Sequence, residues 1–250
     1  MSTSIGMFPR SGHVLGQPIV TEYGFFDHFI AGSGAEDGNK FSSSADKGEW
    51  LCTIGGTSPT IVVSDAEEGG VVTIYPGTQA ADDAQLQLNG ETFIINTETE
   101  TWFECKFKVP DADDHQWFVG LAATDTTVIT AVNDSIGFRN LIGTTADIYT
   151  IVEDDTTETL TDTAVDLSND TFVTVQFHIY RRDFVEFAVL DNIGAVKYAS
   201  GRVTTNIPDN NAALTLTMAV RSTTASANSG LASLEVDYIG CWGRKVNSSS

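Results

Sequence analysis

Two carboxylates near the end of the chain have the spacing that acid–base chemistry would use. Glu235 and Asp237 lie in residues 231–242, where the pattern predicts the last strand. Residues two apart on a strand point to the same face of a sheet, so the two carboxylates should lie side by side. A pair of acids on one surface is the arrangement that glycoside hydrolysis requires.

A third acid is absent from this segment. In laminarinase-type glucanases, which are concanavalin-like sandwiches, the pattern is E-x-D-x-x-E or the same pattern with one additional residue. Ile239 and Gly240 occupy the positions where this chain would need the third carboxylate. The middle Asp of that pattern only supports its neighbours, so the acid and nucleophile couple is incomplete. We therefore expect a protein without enzymatic activity.

Other residues that could carry chemistry are scattered. Acidic runs at residues 82–83 and 111–114 could offer oxygen ligands to calcium, although acidic turns between strands are usually only hydrated. The sequence has no Walker loop, no G-x-S-x-G elbow and no G-x-G-x-x-G. The four histidines lack the i, i+4 spacing of a zinc-binding helix: His13, His28, His115 and His178. We expect no cofactor and no metal.

The charge excludes two classes of partner. Asp and Glu number 34 against 13 Lys and Arg, which gives a net charge of −21. Such a surface repels phosphate backbones and anionic lipid head groups, so nucleic acid and membrane are not expected partners. The three cysteines, Cys52, Cys105 and Cys241, indicate neither a disulfide framework nor a zinc site, because they are odd in number and widely spaced.

The elements that must position these residues are strands. Alternation of apolar and polar residues with period two recurs from Phe25 onward, most clearly in residues 100–109, 171–180 and 213–221. We predict fourteen to sixteen strands and one helical turn near residues 126–132, which form an all-β, two-sheet antiparallel jelly-roll sandwich. Its predicted limits are residues 25–245, with an extended arm at residues 1–24 and a tail at residues 246–250.

Four strand segments resemble a succession found in concanavalin A-like jelly-roll proteins of tailed-bacteriophage virions: residues 117–122, 133–138, 174–180 and 234–239. The resemblance covers about residues 25 to 243 and implies a concanavalin A/LamG-like fold. It also implies a capsid decoration or cement protein, made in the host bacterial cytoplasm and located on the virion capsid surface. The implied partners are the major capsid protein or other virion proteins, with this chain as a homo-oligomer or as lattice-bound copies.

The apolar residues of the arm could fasten such a protein to a shell. The predicted capsid-anchoring residues are Phe8, Pro9, Arg10, Val14, Leu15 and Ile19. An alternative function is a carbohydrate-binding module or tail-fibre adhesin that recognises a host glycan. That alternative predicts an exposed aromatic side chain, flanked by Asn and Asp at a loop rim, near Trp117 or Trp242.

Overall fold

The computed structural model describes eighteen strands and one short helix. The described residues are 23–27, 29, 40–41, 45–47, 50–64, 70–113, 115–131, 133–140, 145–223 and 233–246. The helix, α1, is Val128–Ala131, within the predicted helical turn. It is far shorter than a membrane-crossing helix, and the described residues contain no candidate for one.

Sheet A contains nine strands, and every pairing in it is antiparallel. In chain order they are β1 (Tyr23–Asp27), β2 (Lys40–Phe41), β5 (Thr60–Ser64), β6 (Val71–Tyr75), β9 (Thr99–Lys108), β14 (Val173–Tyr180), β15 (Phe184–Leu190), β16 (Val196–Ala199) and β18 (Leu234–Lys245). The spatial order is β16-β15-β14-β9-β18-β6-β5-β2, and β1 pairs with β18. The last strand therefore lies in the middle of the sheet.

Sheet B also contains nine antiparallel strands. In chain order they are β3 (Ala45–Lys47), β4 (Trp50–Gly55), β7 (Asp83–Leu88), β8 (Phe93–Ile95), β10 (His115–Ala122), β11 (Ser135–Asn140), β12 (Asp147–Asp154), β13 (Thr157–Asp166) and β17 (Ala212–Ser222). The spatial order is β13-β12-β11-β10-β17-β7-β4-β3, and β8 pairs with β17. Strand β13 thus forms one edge of sheet B.

The core lies between the two sheets, as the alternation on β9 illustrates. Phe103 and Phe107 are buried in the large apolar cluster between the sheets, and Cys105 lies between them. Trp102 belongs to a separate, smaller apolar cluster on the opposite side of sheet A. Because neighbouring residues of a strand point to opposite faces, the period-two pattern of the sequence places one row inside the sandwich and one row outside.

The predicted fold class is confirmed: two antiparallel sheets form a jelly-roll sandwich. The strands that the pattern did not predict are β1, β2 and β3, which have five, two and three residues. Strands β2 and β3 contain too few residues to show alternation, and in β1 the adjacent Phe25 and Phe26 break a period of two. Strand β1 also crosses residue 24, where the predicted arm ends.

Candidate functional site: a pocket at the edges of the two sheets

A pocket of about 390 Å³ opens where the edge of sheet B meets the end of sheet A. Strand β13 contributes residues 164–166, and the turn between β15 and β16 contributes Asp191 and Asn192. The segment that connects β13 to β14 supplies Ser168, Thr171 and Phe172. The remaining lining residues are Val173, Val189, Leu190 and Lys197. One aromatic ring and several hydrogen-bonding groups therefore face the same concave space.

The turn at Asp191 forms one wall of the pocket and is held by its own carboxylate. Asp191 accepts hydrogen bonds from the backbone N–H groups of Ala195 (2.8 Å) and Ile193 (3.1 Å). Its other oxygen lies 3.0 Å from the Lys197 ammonium. The hydrogen bond from Ala195, followed by that from Lys197, lowers the pKa of Asp191 below its usual 3.8. This wall therefore presents a fixed, charged carboxylate.

The opposite wall carries Asp166, whose position follows from the pairing of β12 with β13. Asp166 lies directly across from Asp147 in the register of the two strands. Loss of surrounding water raises the pKa of Asp166 above 3.8, and the hydrogen bond and charge of Asp147 raise it further. The two carboxyl groups that line the pocket thus have pKa values shifted in opposite directions.

Phe172 is the aromatic side chain of the pocket. The ammonium groups of Lys106 and Lys108, both on β9, each lie 4.8 Å from the centroid of its ring. A cation at this distance is attracted by the negative face of an aromatic ring. Phe172 is half-buried, so the ring is partly enclosed by protein and partly available to the pocket.

The two carboxylates of the last strand lie behind these lysines. Asp237 binds Lys106 at 2.5 Å, and Glu235 binds Lys108 at 3.3 Å. They lie on the outer side of sheet A, as the sequence predicts, because Val236 between them is buried in the core. The sequence does not predict the register shift between Val236 and Tyr238, which makes Asp237 the extra residue of a β-bulge. Each carboxylate therefore faces a cation.

Two further acids extend this row along β9. Glu104 accepts hydrogen bonds from the Tyr238 hydroxyl (2.6 Å) and the Gln176 amide (2.7 Å). Glu100 accepts two from the Arg244 guanidinium, at 2.8 and 3.0 Å. Burial raises the pKa of Glu104 above 4.5 although both donors oppose the shift. We call the four side chains the carboxylate row: Glu100, Glu104, Glu235 and Asp237.

The prediction of an exposed tryptophan at a loop rim is wrong for Trp117. Its side chain is 1% exposed and packs in the core, 4.8 Å from the ring of Phe107. Trp242 is half-buried and packs against Trp102, which stacks on His178 at 4.7 Å. Phe172 is the aromatic residue at a polar rim, and its signal is the preceding Asn169 and Asp170.

The middle of the outer face of sheet B is covered by the chain itself. Gln87 donates to the carbonyl of Ala123 at 3.1 Å and accepts from the N–H of Asp125 at 3.1 Å. Gln85 accepts from the N–H of Val128 at 3.3 Å, and Arg139 donates to the carbonyl of Ile129 at 3.1 Å. Residues 123–131 are thereby fastened across this face.

The remaining predicted sites have structural explanations or lie elsewhere. Asp82 is buried and accepts a hydrogen bond from the N–H of Gln79 at 2.9 Å, and Asp111 accepts one from Asp113 at 3.2 Å. Within the described ranges, no group of three or more His, Cys, Asp or Glu side chains could hold a metal ion. The predicted capsid-anchoring residues lie outside the described residues: Phe8, Pro9, Arg10, Val14, Leu15 and Ile19.

This sandwich has a concanavalin A-like jelly-roll fold, which many solved structures share. The chain belongs to the family described as "SO2946-like, C-terminal domain". The model of this family matches residues 67–237. No curated protein matches it.

Three solved structures illustrate the likeness. A protein of unknown function, SO2946 from Shewanella oneidensis MR-1, is 17% identical with a TM-score of 0.62, covering 91% of this chain and 89% of its own. A glycosyl hydrolase family protein from Mycobacterium fortuitum is 14% identical with a TM-score of 0.55, covering 87% and 98%. A glycoside hydrolase family 16 endo-glucanase from Bacteroides ovatus, in complex with G4G3G-2F-DNP, is 9% identical with a TM-score of 0.53, covering 86% and 98%.

These structures correct one expectation. We predicted a protein without enzymatic activity, and that prediction is contradicted, because glycoside hydrolases have the same fold over nearly the whole chain. The prediction rested on the last strand, where a third acid is missing beside Glu235 and Asp237. In this structure those two carboxylates bind lysines. The number of acids on the last strand therefore does not indicate whether another part of the sandwich is catalytic.

Proposed function

We propose that this protein binds a neutral glycan in the pocket between β13 and the turn that joins β15 to β16. The observation that carries the proposal is the lining of this pocket: the ring of Phe172 beside Asp166, Asp191 and Asn192. Sugars present C–H faces that pack on aromatic rings, together with hydroxyl groups that donate to carboxylate and amide oxygens. The volume of about 390 Å³ lies within the common range for small-molecule sites.

The charge of the pocket favours a neutral sugar. Asp166 and Asp191 are its acidic groups, and Lys197, the one cation among the described lining residues, is paired with Asp191. The whole chain has a net charge of −21, which disfavours uronic acids and sulfated sugars.

The fold supports this proposal by analogy only. The endo-glucanase from Bacteroides ovatus, solved in complex with G4G3G-2F-DNP, has a similar sandwich at 9% identity. A carbohydrate-binding function fits such neighbours better than virion decoration does. Decoration stays a prediction, since its anchoring residues lie outside the described part of the chain.

Calorimetric titration with neutral β-glucan oligosaccharides tests the proposal. We expect binding by the wild type and a loss of about tenfold in affinity for Phe172→Ala, because the ring is the aromatic surface on which the C–H face of a sugar would pack. Phe184→Ala is the matched control, since Phe184 stacks on Tyr180 at 5.1 Å and does not line the pocket. Absence of binding to every neutral glycan, or equal affinities of Phe172→Ala and wild type, would refute the proposal.

The charge argument has its own measurement. Oligosaccharides of a uronic acid should bind at least about tenfold more weakly than neutral oligosaccharides of the same length at low salt. Assaying the same mixtures for new reducing ends shows whether a bound glycan is also cleaved, which the shared fold with hydrolases makes worth measuring.

A further inference from the structure

The last-strand carboxylates do not line the pocket, yet they are connected to it through two lysines. We propose that Glu235 and Asp237 are positioning residues that orient the Phe172 ring of the glycan pocket through Lys108 and Lys106. This inference rests on the proposed function, and it assigns a role to the acidic pair that the sequence pattern singles out.

The first step is the contact between the lysines and the ring. Phe172 immediately precedes β14, and the next residue, Val173, pairs with Phe107 of β9. Continued by one residue, this antiparallel register puts Phe172 beside Lys108, and Lys106, two positions along the same face of β9, pairs with Thr174. Both ammonium groups reach the same ring at 4.8 Å from its centroid. Two cations at one ring restrict its orientation more than one cation does.

The second step is what holds the lysines. A lysine side chain has a flexible four-carbon stem, so its ammonium group is fixed only if something else fixes it. Glu235 lies directly across from Lys108 in the strand register and binds it at 3.3 Å. These two side chains are 24% and 14% exposed, so solvent screens the pair less than it would a surface pair.

The third step is the β-bulge of β18. Val236 pairs with Phe107, and the next residue of β9, Lys106, pairs with Tyr238, so Asp237 is the inserted residue. The Tyr238 hydroxyl is thereby directed to Glu104, and Asp237 still binds Lys106. The bulge lets one strand satisfy Glu104 and hold Lys106 at the same time. Two series of contacts therefore end on the Phe172 ring. One runs from Glu235 through Lys108, and the other runs from Asp237 through Lys106.

A thermodynamic cycle separates positioning from a merely structural ion pair. The double variant E235Q/D237N keeps the shape of both side chains and removes their charge. We expect its dissociation constant for the neutral glycan to rise about fivefold. In the Phe172→Ala background the same two substitutions should have no further effect, because the ring through which they act is gone. Additive effects in the two backgrounds would overturn the inference and leave the glycan site intact.

Three controls keep the result specific. The conservative double variant E235D/D237E restores both charges and should recover most of the affinity. Glu186→Gln removes a carboxylate of β15 that lies 3.5 Å from the Arg202 guanidinium, and it should leave glycan affinity unchanged. The single variants E235Q and D237N each keep one of the two carboxylate–lysine pairs, so each should show a smaller rise in the dissociation constant. They test the inference if the double variant does not fold.

A readout without ligand separates this inference from the proposed function. We expect 4-fluorophenylalanine at position 172 to give a fluorine resonance that shifts and broadens in E235Q/D237N but not in Glu186→Gln. An unchanged resonance in E235Q/D237N would overturn the positioning role whatever the titrations show. A changed resonance in a protein that binds no neutral glycan would support the contact between these groups and refute the glycan site alone.

Discussion

The carboxylate row of sheet A and the pocket beside it contain the same kinds of side chain in opposite situations. Every acid of the row contacts a donor or a cation of a neighbouring strand: Arg244, Tyr238, Lys106 or Lys108. In the pocket, Asp166 and Asn192 border open space. The row therefore contributes to the sheet, whereas the pocket retains hydrogen-bonding capacity for a ligand.

This difference shows that the spacing of acids does not reveal whether they are available. Glu235 and Asp237 have the more suggestive pattern in the sequence, but lysines on the adjacent strand occupy them. Asp166 and Asp191 belong to no motif, yet they lie in one pocket because the edges of two sheets meet. Whether an acid is already bound by another side chain depends on its neighbours across the sheet, and the pattern along one strand contains no information about them.

The largest expected effect is on the pH dependence of stability, which must be known before the acids are compared. His115 is fully buried, its two ring nitrogens have no partner among the described residues, and burial lowers its pKa from 6.5 to about 4. The unfolded chain binds this proton from pH 6.5 downward and the folded chain does not, so stability falls as pH drops from 6.5 to 4. The loss should be about 3 kcal/mol.

Urea unfolding across this pH range measures the loss. His115→Phe keeps an aromatic ring in the core and cannot be protonated. Burial lowers the pKa of His178 to about 4 as well, so the variant should still lose stability between pH 6.5 and 4, but about 3 kcal/mol less than the wild type. Equal losses in this variant and the wild type would show that His115 is not the source.

The second prediction concerns the most enclosed contact of the row. Glu104→Ala removes one acceptor from the Tyr238 hydroxyl and one from the Gln176 amide, which should cost about 2 to 3 kcal/mol of unfolding free energy. Glu104→Gln keeps an acceptor oxygen and should cost under about 1 kcal/mol. Guanidinium unfolding at pH 7 measures both, and a similar small cost for the two variants would mean that the row is not a structural network.

The sequence was sufficient for the fold because its long strands alternate clearly. The residues of β9, β14 and β17 that face the core were predicted from period two alone. The same rule predicts that Trp117 is internal, since it alternates with Val119 and Leu121, and the expectation of an exposed ring there ignored this. Where alternation is long enough to read, burial follows from it.

The site could not be predicted in the same way. The β-bulge at Asp237 is invisible along the strand, because it depends on the register with β9. The pocket needs β13 from one sheet and the turn after β15 from the other, so no single segment encodes it. The one local signal is the run of polar residues that precedes Phe172, a composition typical of a ligand rim but also of any turn.

Two substitutions, one on the face of sheet A and one in the pocket, should affect different quantities: the first should lower stability and the second should lower glycan affinity. Trp242→Ala removes a half-buried ring from the face that includes Trp102, so it should cost about 2 kcal/mol of stability and leave glycan affinity unchanged. Asn192→Ala, at an exposed position of the pocket, should change stability by less than about 0.5 kcal/mol and weaken binding about fivefold. Thermal unfolding and calorimetry on the two variants decide this. If both variants lost affinity, the glycan would extend over the face of sheet A.

The smallest expected effect compares one acid from each region, Asp191 and Glu104, through the sign of its pH dependence. The pKa of Asp191 is lowered, so its contribution to stability is complete above pH 3.8 and is lost as pH falls through the folded-state pKa. The pKa of Glu104 is raised, so the folded chain stays protonated at this group to a higher pH than the unfolded chain does. Stability therefore falls as pH rises from 4.5 through the folded-state pKa. Subtracting the stability profile of Asp191→Asn or Glu104→Gln from that of the wild type isolates each group. The two difference curves should slope in opposite directions, and slopes of the same sign would mean that Asp191 and Glu104 are not in different electrostatic environments.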